Sequence, residues 1–281
     1  MTANTQATKP ILVLGGTGKT GRRVVQRLTA LGIPTRVGSR SGQPPFHWED
    51  RSTWAPALRD VQSVYVSYYP DLAAPGAVET VGAFAELAVK SGVRRLVLLA
   101  GRGEAEAERA EQAVRDSGAD LTILRSTWFS QNFSEDYLLE PVLSGELALP
   151  AGDTPEPFVD ADDIADVAVA ALTEDGHIGQ LDELTGPRLL TFAEAAAEIS
   201  KAAGREVRYV PVSIEEYAAA AAEQGVPDEV IEMLTYLFSE VLDGRNAHLA
   251  DGVQRALGRE PRDFADYARA TAASGVWDAA P

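Results

Sequence analysis

The segment Leu14-Gly15-Gly16-Thr17-Gly18-Lys19-Thr20-Gly21 holds the residues whose types and spacing are best suited to chemistry. Glycines at 15, 18 and 21 allow a tight turn, close approach of backbone to a pyrophosphate, and close packing of a following helix on a sheet. The first N–H groups of such a helix face an anion, and the helix dipole favours negative charge there. An apolar run, Ile11–Leu14, precedes the loop and a helical pattern follows it. The segment therefore reads as a dinucleotide cradle built from Gly15, Thr17, Gly18, Lys19 and Thr20. Its letters Gly18-Lys19-Thr20 also resemble the end of a nucleotide-triphosphate loop, G-x-x-x-x-G-K-[ST]. That loop needs a glycine at position 13, where Val13 stands, so the ATPase or kinase reading fails on register.

The end of the second strand distinguishes NAD from NADP. An NAD site usually places an acid there, about 20 residues past the glycines, to bind the ribose 2′-hydroxyl. Here the chain reads Arg36-Val37-Gly38-Ser39-Arg40, with no acid. Arg40 can fork onto a 2′-phosphate, Ser39 can offer a hydroxyl, and Lys19 lies in the glycine loop. The pattern favours NADPH. Other chemistries find less support. There is no cysteine, hence no disulfide framework, thiolate nucleophile or cysteine-ligated metal. His47, His177 and His248 lack helical metal-ligand spacing, so no metal site is expected. Asp160, Asp162, Asp163 and Asp166 read as helix capping and a solvated face. No G-x-S-x-G elbow is present.

Short apolar runs that alternate with helical patterns from Ile11 to about Ser126 predict βαβ units and a parallel sheet. Strands are expected over 11–14, 35–38, 46–48, 61–67, 95–100 and 121–125, with helices over 20–31, 76–90 and 104–116. Farther on, 145–150, 158–159, 181–185 and 207–210 read as strands, 162–172 and 192–203 as helices, and 213–277 as mostly helical. The fold class is α/β: a Rossmann-type doubly wound parallel sheet with a smaller, mainly helical C-terminal substrate part. The expected division is a cofactor-binding domain over 1–150, with 158–185 returning to it, and a helical cap over 186–281.

The 281 residues carry 42 acidic and 25 basic side chains, a formal charge of -17. Residues 1–150 hold 16 of each sign, so the whole acid excess lies beyond them. Such a surface repels phosphate backbones and argues against direct nucleic-acid binding. No apolar run approaches a membrane span, and the first ten residues lack a signal peptide's apolar stretch. A cytoplasmic location is expected.

The runs LVLGGTGKTG, VGSRSG and SGADLTILRSTWFSQNF resemble the NmrA-like branch of atypical short-chain dehydrogenases. Phe46-His47-Trp48-Glu49-Asp50-Arg51-Ser52-Thr53-Trp54 is similar to the F-D-W-x-D-x-x-T-W stretch of the festuclavine and agroclavine reductase group and its bacterial relatives. The likeness continues through PFVDADDIADVA and LTGP to Gly258-Arg259-Glu260-Pro261. His47 stands for the usual Asp beside the adenine, and Ser126 for a proline. The resemblance implies that Trp48 packs near the adenine with His47 beside it, and that Ser67 and Tyr68 approach the inner ribose. It also implies that Ala100, Gly101 and Thr127–Phe129 border the nicotinamide. Thr127, Trp128, Phe129, Asn132 and Tyr236 are the expected substrate contacts.

Ordinary short-chain dehydrogenases use a Tyr-x-x-x-Lys pair to protonate the substrate oxygen. The four lysines here, Lys9, Lys19, Lys90 and Lys201, follow Thr5, Gly15, Glu86 and Ala197 at that spacing, and Ala100 replaces the expected serine. Two readings remain. One is an NADPH-dependent reductase whose acceptor, an imine or iminium, a quinone or an activated alkene, needs no such pair or takes its proton from water, Tyr68 or Tyr69. The other is a non-catalytic NADP(H)-binding redox sensor. The expected partners are a small-molecule substrate and either a homodimer mate or another protein.

Overall fold

The computed structural model describes residues 9–278, so nearly all of the amino-terminal stretch read for a signal sequence lies outside the described residues. Among the described residues eight strands form: β1 (Ile11–Leu14), β2 (Thr35–Gly38), β3 (Ser63–Val66), β4 (Arg95–Gly101), β5 (Asp120–Ser126), β6 (Glu146–Leu149), β7 (Leu181–Leu184) and β8 (Arg208–Pro211). The helices begin with α1 (Lys19–Ala30), α2 (Trp54–Leu58), α3 (Ala77–Lys90), α4 (Ala105–Arg115), α5 (Asn132–Glu135) and α6 (Leu139–Ser144). They continue with α7 (Ala161–Thr173), α8 (Phe192–Ala203), α9 (Ile214–Glu223), α10 (Asp228–Tyr236), α11 (Gly252–Leu257) and α12 (Phe264–Ala273).

Six strands make one sheet in the order β2-β1-β3-β4-β5-β7. β1 pairs in parallel with both β2 and β3, and β3 pairs in parallel with β4. The chain thus winds outward from β1 in two directions, as a Rossmann-type doubly wound sheet requires. Strand alternation sets the two faces. Leu12, Leu14, Val64, Val66, Leu96 and Leu98 share a core with Phe84 of α3 and Val114 of α4. The intervening Ile11, Val13, Tyr65 and Val97, also buried, point to the opposite face, where Tyr65 donates its hydroxyl to Thr20 Oγ1 of α1 at 3.0 Å.

Two compact units result: residues 1–125 with 164–182, and residues 126–163 with 183–281. The expected division places 126–150 with the first part. In the structure these residues belong to the second unit, where β6 pairs in parallel with β8 over Glu146↔Arg208 to Leu149↔Pro211. Register with a strand sixty residues downstream leaves no trace in local periodicity. In this unit α8 and α9 both start with capping boxes, Thr191 with Glu194 and Ser213 with Glu216. A core of Phe133, Phe158, Phe192, Phe238, Phe264 and Trp277 holds the unit together.

Three local expectations are corrected. Phe46–Trp48 is a loop: its aromatic side chains pack downward, Phe46 against Phe84 at 5.7 Å and Trp48 against Trp54 at 6.1 Å. Phe158–Val159 contributes a single bridge, Phe129↔Val159, with no strand of its own. The Asp160–Asp166 cluster is not a solvated face. Asp163 is fully buried and takes Arg259 Nη2 at 2.7 Å, the Arg262 N–H at 2.7 Å and the Arg262 guanidinium. Asp166 pairs with Arg27, and Asp160 accepts from the Asp162 N–H at 2.7 Å and Gln131 Nε2 at 2.8 Å.

Candidate active site

The glycine loop has the shape its composition requires. Gly15 has φ +62°, a conformation that L side chains resist, and accepts the Gly18 N–H at 2.8 Å to close the turn. A Cβ on Gly21 would stand 2.1 Å from the Gly15 carbonyl oxygen, so only a glycine lets α1 pack this closely against the loop. α1 begins without a side-chain cap and with no acid in its first turn. Its leading N–H groups therefore keep their affinity for an anion. Thr17 and Gly18 are exposed and Lys19 is half-buried. Thr20 departs from expectation: its side chain is buried and receives the Tyr65 hydroxyl, leaving only its backbone for a ligand.

At the end of β2, the two arginines have separate tasks. Arg36 Nη1 donates to the carbonyls of Ala57 and Arg59, each at 2.7 Å, and so ties β2 to the end of α2. Arg40 is exposed and makes no hydrogen bond or ion pair among the described residues. Ser39 is half-buried, its carbonyl accepting from Gly42 and Phe46.

The loop after β2 makes an aromatic floor. Trp48 lies 4.9 Å from Tyr68 and 5.2 Å from Phe84 by ring centroid, and its Nε1 donates to the Ser67 carbonyl at 3.3 Å. His47 is held through its backbone, donating to Thr53 Oγ1 at 3.0 Å and accepting from Trp54 Nε1 at 2.8 Å. The Ser67 side chain lies across the glycine loop, where its Cβ and Oγ would both be 3.4 Å from a Cβ on Gly15. The ends of β1 and β3 thus bring Gly15, Ser67, Tyr68 and Trp48 together. Tyr68 is half-buried, whereas Tyr69 is 79% exposed and joins no cluster.

The sequence reading missed an acid at the end of β4. Ala100 and Gly101 end β4, and a Cβ on Gly101 would lie 1.9 Å from Glu104 Oε1. The Glu104 carboxyl fills the space that this glycine leaves open. It is 5% exposed, and its Oε2 meets no N–H or O–H donor. The group bonded to it is another carboxyl, Asp71, in the loop after β3. Burial first, and then Asp71's charge and hydrogen bond, push the Glu104 carboxyl up to about 9. One sequence sign was available. Glu104 is the N-cap of α4, a place favouring Ser, Thr, Asp or Asn, and its side chain makes no capping bond.

In the second unit, Trp128 packs edge-on to Phe192 at 5.4 Å and against Phe238 at 5.0 Å. Phe238 sits in a π-helical turn, Leu237–Val241, that follows α10, and Tyr217 packs on it at 5.4 Å. Burial pushes the Tyr217 phenol up to about 12. The buried Tyr137 hydroxyl has no partner among the described residues, and burial with nearby Tyr217 and Asp136 holds its phenol far above the usual range. Phe129, Asn132 and Tyr236 are half-buried. Thr127 is corrected. Its hydroxyl is committed to the carbonyls of Pro157 at 2.8 Å and Leu184 at 3.4 Å, so it staples the unit instead of facing a ligand. Among the described residues no cluster of His, Asp or Glu can hold a metal, and no helix is long and apolar enough to cross a membrane.

Comparison with known proteins points one way. The sequence pattern of the NmrA-like family matches residues 106–268. The uncharacterized oxidoreductase YesF of Bacillus subtilis is 33% identical over 94% of this chain and 96% of its own length. Agroclavine dehydrogenase of Claviceps fusiformis is 31% identical over 92% of this chain and 96% of its own. The triphenylmethane reductase of Citrobacter sp., solved with NADP(H), superposes with a TM-score of 0.74 at 21% identity, over 93% of this chain and 99% of that one. A family pattern spanning more than half the chain, and relatives above 30% identity along nearly all of it, make this chain a member of the NmrA-like family.

Proposed function

We propose that the protein is an NADPH-dependent reductase that transfers hydride to a small cyclic or aromatic acceptor, an imine or iminium, a quinone or an activated alkene. The observation that carries this reading is the pairing of an uncapped, acid-free start of α1 with Arg40 at the end of β2. Arg40 is an exposed guanidinium where an NAD site would place a carboxylate, and it has no partner of its own among the described residues. In this reading the backbone of Gly15, Thr17 and Gly18 and the start of α1 hold the pyrophosphate, while Lys19, Ser39 and Arg40 hold the 2′-phosphate. His47 and Trp48 support the adenine, Ser67 and Tyr68 the ribose, and Ala100 and Gly101 the nicotinamide ring. The cradle fits such a group because the glycines leave room that a Cβ would fill. When bound, the reduced nicotinamide supplies the hydride.

In the same reading Trp128, Phe129, Asn132 and Tyr236 contact the substrate. Redox chemistry on an organic small molecule agrees with the names of two similar proteins, an agroclavine dehydrogenase and a triphenylmethane reductase. The test is a titration of NADPH and NADH against wild type and Arg40→Ala, read by tryptophan fluorescence, followed by NADPH oxidation with a panel of cyclic imines, quinones and activated alkenes. Equal wild-type affinity for the two cofactors removes the NADPH assignment. Tight binding without oxidation across the panel favours a redox sensor.

A further inference from the structure

We infer that the Asp71–Glu104 carboxyl pair is the proton source for acceptors that need a proton after hydride addition, such as quinones and activated alkenes. The inference rests on the reductase reading above. β3 and β4 are parallel neighbours, and the two carboxyls stand on the loops that leave their carboxyl ends. Ligands of open α/β sheets bind along that edge. Glu104 is 95% buried by the complement of its 5% exposure, and its carboxyl lies against the Cα of Gly101. A buried carboxylate without donors is costly, whereas a neutral acid there is not.

Asp71 completes the arrangement. It is half-buried, and its Oδ1 accepts the Ala73 N–H at 2.7 Å, while Glu104 Oε2 meets no donor. Burial first, and then Asp71's charge and hydrogen bond, favour the protonated form of the Glu104 carboxyl. Arg102 is buried on the same turn with interactions of its own, and Glu108 and Glu111 of α4 are turned toward Arg125. A carboxylic acid kept neutral at physiological pH is what general-acid work requires. Neither Tyr68 nor Tyr69 has a lysine four residues on.

Hydride addition, with the hydride that a reduced nicotinamide would supply when bound, would leave the acceptor as an enolate or a hydroquinone anion. The O–H bond of the Glu104 carboxyl breaks, its proton forms the new C–H or O–H bond on the acceptor, and that carboxyl takes up the negative charge the acceptor loses. Water then restores the proton through Asp71, the half-exposed member. An iminium needs no such proton, because hydride addition yields a neutral amine directly. The pair therefore separates the two acceptor classes.

Three readouts test this with the full chain. In infrared spectra of the cofactor-free protein at about pH 7.5, a protonated-carboxyl C=O band should be present in wild type and lost in Glu104→Gln. The ratio of quinone to iminium turnover should fall at least ~100-fold in that variant. Quinone turnover in wild type should decline above about pH 9, a limb absent from the variant. Asp71→Asn, which spares the buried site, should keep the band and slow quinone reduction alone. The proposal is overturned if the band is absent at neutral pH, or if both acceptor classes lose activity equally, as a merely structural role would give. Quinone turnover unchanged in both variants also overturns it, with the reductase reading intact. A wild type that oxidises NADPH with no acceptor overturns the reductase reading and this inference with it.

Discussion

Glu104→Gln keeps the volume of the side chain and removes its ability to ionise, so it isolates the free energy of the buried proton. In the unfolded chain the carboxyl titrates near the ordinary 4.5, and in the folded protein it is held up to about 9. Between those limits the unfolded state releases the proton and the folded state retains it. The contribution to stability is therefore complete below 4.5 and is lost as pH rises toward 9. The slope is about 1.4 kcal/mol per pH unit. From about pH 5.5 to about pH 7.5, wild type should lose about 3 kcal/mol that the glutamine variant keeps. Urea unfolding followed by circular dichroism at several pH values measures both curves. They should converge at the acid end and diverge with rising pH, wild type becoming the weaker. Parallel curves would mean that Glu104 is ionised in the folded protein, and the reasoning would fail. Asp71→Asn removes the second and third causes of the shift and leaves burial, so its curve should diverge over a narrower range than that of wild type.

Other perturbations follow from the same geometry. Gly21→Ala sets a Cβ 2.1 Å from the Gly15 carbonyl oxygen; the overlap should cost about 1–3 kcal/mol in unfolding measurements, outweighing the helix propensity gained, and weaken NADPH binding. Arg40→Ala should weaken NADPH at least ~10-fold in a fluorescence titration while leaving NADH unchanged, since only the 2′-phosphate differs. Asp163→Ala removes the buried acceptor shared by Arg259 and Arg262, leaves a gap in its place and should cost about 3 kcal/mol by urea unfolding. Equal losses for conservative replacements elsewhere on α7 would deny Asp163 that role.

What the sequence made legible was whatever neighbouring residues decide among themselves. The glycine loop is a run of eight residues whose turn, φ sign and helix start are all local, and it folds as its spacing implies. Strand 11–14 is four apolar residues that stop at Gly15, strand 35–38 closes on its own Gly38, and both stand at those bounds. The short aromatic run at 46–48 has strand propensity, yet its rings are drawn down onto Phe84 and Trp54, a tertiary preference that propensity cannot show. Asp163 looked like a helix-start acid in water because the arginines that bury it come about a hundred residues later. Thr20 and Thr127 looked like ligand contacts because a hydroxyl does not declare whether a phenol or a carbonyl has already claimed it.

Glu104 is the hardest case and the most instructive one. Its neighbours Glu106 and Glu108 on α4 are acids in a first turn, where the helix dipole welcomes negative charge, so by composition Glu104 belongs with them. What sets it apart lies three residues earlier. Gly101 has no Cβ, and the Glu104 carboxyl occupies the place one would take. With an alanine at 101 the carboxyl must leave that place and reach water, where burial no longer holds its proton. The dipole at the start of α4 favours the anion, but burial against Gly101 and the facing Asp71 favour the acid, and these two win by several pH units. The Gly101–Glu104 spacing is thus the cause of the buried proton, and Gly101→Ala should release it: the protonated-carboxyl infrared band at neutral pH should vanish although both acids remain in the chain. A band that persists in that variant would show that burial against Gly101 is not what holds the proton.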